Sequence, residues 1–63
     1  MADDAADCNA GIAMIKAELD KKPAEAIRTK LDKALTDAER EATEKEYDEC
    51  LEAVEDATEV IKN

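Results

Sequence analysis

Residues 36–50 read TDAEREATEKEYDEC, and the fold depends on where one helix ends and the next begins inside this stretch. It holds two competing helix-start signatures, Thr36 with Glu39 and Thr43 with Glu46, each a hydroxyl followed three residues later by a glutamate. It holds no glycine or proline to mark the break. A third reading has no break at all, with one helix running from 24 to 62 in a two-helix hairpin. The flanking segments decide among these.

Upstream, Ala5, Cys8, Ile12, Ile15 and Leu19 are spaced in alternating steps of three and four, which places them on one face of a helix. The spacing predicts a first helix over 4–21. Lys21 and Lys22 suit its C-terminus, and Pro23 stops it while fitting the first turn of a second helix. Ala24, Ile27, Leu31, Leu35 and Ala38 repeat the pattern and predict that second helix over 23–41. Tyr47, Cys50, Leu51, Val54, Ala57 and Ile61 form a third stripe, predicting a helix over 44–62. The fold class is therefore all-α, a single domain over 1–63 built as a small up-down-up three-helix bundle.

Cys8 and Cys50 test this choice as a matter of distance. In an up-down-up bundle the first and third helices run parallel and start at the same end. A third helix starting at Thr36 would place Cys50 about 10 residues further along its axis than Cys8, roughly 15 Å at 1.5 Å per residue. A disulfide requires Cα atoms about 4.4–6.8 Å apart. Starting at Thr43 cuts the offset to about three residues, which stagger and crossing angle absorb. The continuous helix would put Cys50 out of reach and force pairing between chains. The far-apart cysteines speak against a CxxC motif and for one long-range disulfide, hence an oxidising compartment, periplasmic or secreted. The alternative is a pair of reduced, buried thiols in a cytosolic protein. A chain of 63 residues buries little apolar surface, and Tyr47 is its one aromatic, so a staple is expected.

Catalytic equipment is missing. The chain has no His and no Ser, so the usual general base and hydroxyl nucleophile are absent, and Gly11 is its single glycine, which excludes phosphate-cradling loops. The expectation is a protein that is not an enzyme. No stretch is long and apolar enough to span a bilayer, so no membrane insertion is expected. Met1 to Asp4 shows neither the basic nor the apolar region of a signal peptide, and the expectation is a mature secreted chain with Met1 supplied as its start.

Charge carries the functional reading. The chain has 18 acidic and 9 basic residues, a formal net charge of −9, which repels nucleic acid and anionic membrane and attracts cations or basic partners. The excess is concentrated late: residues 32–63 hold twelve acids and four bases, against six and five in residues 1–31. If the first and third helices are parallel and bridged, Asp3, Asp4, Asp7, Glu46 and Glu49 converge at one end, with Glu41 and Glu44 as outer candidates. Clustered carboxylates suit a hard multivalent cation, which wants about six to eight oxygens, whereas zinc, copper and iron are poorly served without His or free thiolates. One chain supplies too few oxygens, so a metal-bridged homodimer is expected. The bland alternative is a solvated acidic face, and the rival function is an acidic helical module that docks on a basic protein without metal. An EF-hand is not present. Asp7, Asn9, Gly11 and Glu18 imitate one, but the glycine falls one place early and the core stripe runs straight through the supposed loop.

In size, acidity, paired cysteines and lack of EF-hands, the whole chain resembles the landiscernins, small periplasmic lanthanide-binding proteins of methylotrophic bacteria. The resemblance is one of overall character. It implies a periplasmic protein that binds a trivalent lanthanide, prefers the lighter ones and dimerises around the metal; without it, calcium is the default ion.

Overall fold

A computed structural model of the chain describes residues 3–62, so the expectation about Met1 lies outside the described residues. The order is α1 (Asp4–Asp20), α2 (Glu25–Thr43) and α3 (Tyr47–Lys62), and the described chain has no strand. This is the expected three-helix bundle, with Cys8 and Cys50 joined at a Cα–Cα distance of 5.7 Å.

Register follows the bridge. Cys8 and Cys50 are 42 residues apart in sequence. Ile15 and Ala57 keep that spacing and share the second of two core clusters, so α1 and α3 run parallel in step. Helix α2 runs the other way: Ala38 lies in the cluster with Cys8, and Leu31 in the cluster with Ile15. The core is thin because small residues build it. Ala34, Ala38, Ala53 and Ala57 are half of the buried apolar set, so the helix axes come close instead of being held apart by large side chains. Gly11 marks a close approach. A Cβ there would lie 2.5 Å from both methyls of Val54, so the glycine is what lets α3 seat against α1. Helix α1 is the least sided of the three, since its outer face carries exposed Ala6, Ala10, Ala13 and Ala17 where α2 and α3 carry charges.

The helix boundaries depart from expectation in ways that chain chemistry explains. Pro23 does not begin α2. Lys22 sits before it in the left-handed region at φ 55°, with its N–H donating to Leu19 O at 3.0 Å, and α2 starts two residues later at Glu25. The second junction is moved further, because Thr43 does not cap α3. It ends α2, and its hydroxyl donates back to Glu39 O at 2.9 Å. Lys45 then takes φ 60°, its N–H donates to Ala42 O at 3.1 Å, and Glu46 N–H donates to Glu41 O at 2.8 Å. This is a Schellman closure with lysine where glycine usually sits. It delays α3 from 44 to Tyr47 and improves the cysteine register: Cys8 is four residues past Asp4 (8 − 4), and Cys50 three past Tyr47 (50 − 47).

Candidate cation site at the acidic end of the bundle

The parallel starts of α1 and α3, together with the end of α2, deliver the expected carboxylates to one end of the molecule. On α1, Asp3 is the N-cap, extended at φ −106° and ψ 117°, and its Oδ1 accepts from Ala5 N at 3.0 Å. That bond satisfies an orphan helix-start amide and commits one of the two oxygens. Asp4 and Asp7 stand in the first turn, where the positive end of the helix dipole favours them. On the other side, Glu41 lies half-buried near the end of α2 and Glu44 is that helix's C-cap. Glu46 immediately precedes α3 and accepts Cys50 N–H at its carbonyl at 3.0 Å, while Asp48 and Glu49 occupy the first turn of α3.

The electrostatics single out Glu49. Its carboxyl is held above the usual carboxylate range, chiefly by the charge of Glu41 across the helix junction, then by Glu46, slight desolvation, Asp48 and Glu52. Glu41, expected as an outer candidate, thus exerts the strongest influence on Glu49. Sequence spacing could not show this, because the two residues belong to different helices. Asp48 and Glu52 were not among the expected site residues, although lying one and three positions from Glu49 could have flagged them. The α1 aspartates are not among the charges that raise Glu49.

Base pairing is distributed unevenly. Lys16 reaches from α1 to Glu39 at 3.4 Å, Lys33 pairs with Asp37 at 3.1 Å, and Arg40 approaches Asp37 at 3.6 Å and Glu41 at 3.5 Å. None of the ion pairs among the described residues involves an acid of α3, although that helix carries Asp48, Glu49, Glu52, Glu55, Asp56 and Glu59.

As a donor set this end is all carboxylate. Both sulfurs are tied up in the disulfide, so no thiolate competes, and the oxygens match the taste of hard cations. Among the described residues, no three His, Cys, Asp or Glu side chains stand close enough together to hold a metal ion. Capture of an ion would therefore require exposed side chains such as Glu46 and Glu49 to turn toward it. No protein-family model matches the chain, and neither a curated protein nor a solved structure gives a significant match.

Proposed function

We propose that this is a non-enzymatic binding protein of an oxidising, extracytoplasmic compartment such as the periplasm, and that its acidic end takes up a hard multivalent cation. The observation that carries this reading is geometric: the bridged, parallel starts of α1 and α3 and the end of α2 place Asp4, Asp7, Glu41, Glu46, Asp48 and Glu49 at one end of the bundle, where the neighbouring carboxylates, Glu41 foremost, raise the pKa of Glu49. A cation placed among these groups relieves that repulsion, and a trivalent ion relieves more of it than a divalent one. The resemblance to landiscernins selects a lanthanide ahead of calcium and favours the lighter members. The residues expected to supply oxygens are Glu41, Glu46 and Glu49, with Asp3, Asp4 and Asp7 at the start of α1 and Glu44 at the end of α2 as the further candidates. A second chain supplies the places left over from a demand for about six to eight oxygens. The alternative reading is docking on a basic protein, favoured by the acids that continue along α3 as far as Glu59 without an ion-pair partner among the described residues.

Titration of the oxidised protein with lanthanum, lutetium and calcium, followed by NMR, separates the two. The cation reading expects shifts concentrated at Glu41, Glu46 and Glu49, saturating first with the light lanthanide. Weak shifts spread along α3, equal for lanthanum and lutetium, would refute it.

A further inference from the structure

Away from the acidic end, α2 and α3 leave a groove between them. Two open hollows of about 210 and 290 Å³ lie along it, joined through Lys30 and Val60, which line both. The floor is apolar, built from Ile27, Ala34, Ala53 and Val60. The rims differ in sign. Lys30 and Lys33 stand on the α2 side, Asp56 and Glu59 on the α3 side. Lys33 is paired along its own helix with Asp37, which also lines the groove; Lys30, Asp56 and Glu59 have no ion-pair partner among the described residues. With two bases facing three acids, this strip is far closer to neutral than the molecule as a whole, whose net charge is −9.

We propose that this groove is the interface between two copies of this chain. A two-fold axis parallel to the groove lays α2 of one protomer over α3 of its partner at the same height. Lys30 and Lys33 of each protomer then face the carboxylate rim of the other, and the two apolar floors close on one another in a four-helix contact. The arrangement is self-complementary because the α2 rim and the α3 rim of a single chain carry opposite signs. The net charge opposes association at long range, so the dimer is weak and concentration-dependent, with screening at physiological salt confining the repulsion to about 8 Å. The proposal does not rest on cation binding.

The test is a charge swap read by sedimentation equilibrium on oxidised protein in chelator, with folding checked by circular dichroism. The wild-type average mass should rise with concentration. Lys30→Glu/Lys33→Glu and Asp56→Lys/Glu59→Lys should each be monomeric alone, since both rims then carry one sign, and an equimolar mixture should form a heterodimer. As a control, Arg28→Glu/Lys62→Glu mixed with Glu44→Lys/Glu52→Lys makes the same charge changes outside the groove and should not reproduce the heterodimer. A wild-type chain that stays monomeric at every concentration would overturn the proposal, and so would equal association of the control pair. Lanthanum titration of the monomeric Lys30→Glu/Lys33→Glu variant judges the cation reading separately, since shifts at Glu46 and Glu49 there do not depend on the groove.

Discussion

Reducing the Cys8–Cys50 bridge should cost most of the stability of this fold. The bridge closes a sequence separation of 42 residues. In the chain-entropy account, a loop of that size removes about 13 cal/mol/K from the unfolded chain, or about 4 kcal/mol at 25 °C. Both cysteines are fully buried, and the reduced thiols remain apolar enough to stay in place, so the loss is mainly entropic. A chain of this length has a total stability of about 3–9 kcal/mol at the usual yield per residue. With an unfolding entropy of about 130 cal/mol/K for its size, the melting temperature should fall by about 30 °C. Release of the tether also frees the like-charged starts of α1 and α3 to separate, which acts in the same direction. The assay is thermal melting followed at the helical band, with and without a phosphine reductant, the two free thiols being verified by alkylation and mass. Cysteine-to-alanine variants are a poorer test because they add cavities. A drop of less than about 10 °C with both thiols free would refute the reasoning, since it would mean that the small alanine core holds the bundle without the staple.

Three further outcomes are expected. Gly11→Ala should lower stability by about 1 kcal/mol, an overpacking cost of about 1–3 kcal/mol against Val54 that exceeds the helix-propensity gain of about 1 kcal/mol. Gly11→Ala/Val54→Ala should then fall by less than the sum of the two single changes in urea unfolding. Lys45→Gly should raise the urea midpoint by the equivalent of about 0.5 kcal/mol, because relief of left-handed strain outweighs the freedom gained by the unfolded chain; a lowered midpoint would show that φ 60° is not strained here. Glu49 binds its proton more tightly folded than unfolded, so stability falls as pH rises from the ordinary value of 4.5 through its raised pKa. Glu49→Gln should therefore melt higher than wild type at pH 7, with an advantage that shrinks as pH drops through that window; an advantage that is absent or constant with pH would argue against repulsion at this site.

The sequence by itself determined three helices, their approximate extents and the pairing of Cys8 with Cys50. Each rests on periodicity and axial rise, which are local properties of a regular helix. The junction between α2 and α3 escaped it because Lys45 performs a turn that sequence patterns assign to glycine, and because the Thr43 hydroxyl bonds back into α2. Only the tertiary structure decided which charges press on Glu49, since Glu41 reaches it across the junction instead of along one helix. The same holds for the Lys16–Glu39 pair between α1 and α2, and for the groove between α2 and α3. Spacing along a helix fixes which face a residue occupies, but two faces meet at a height and angle set by the packing of small residues, here Gly11 under Val54 and the four buried alanines.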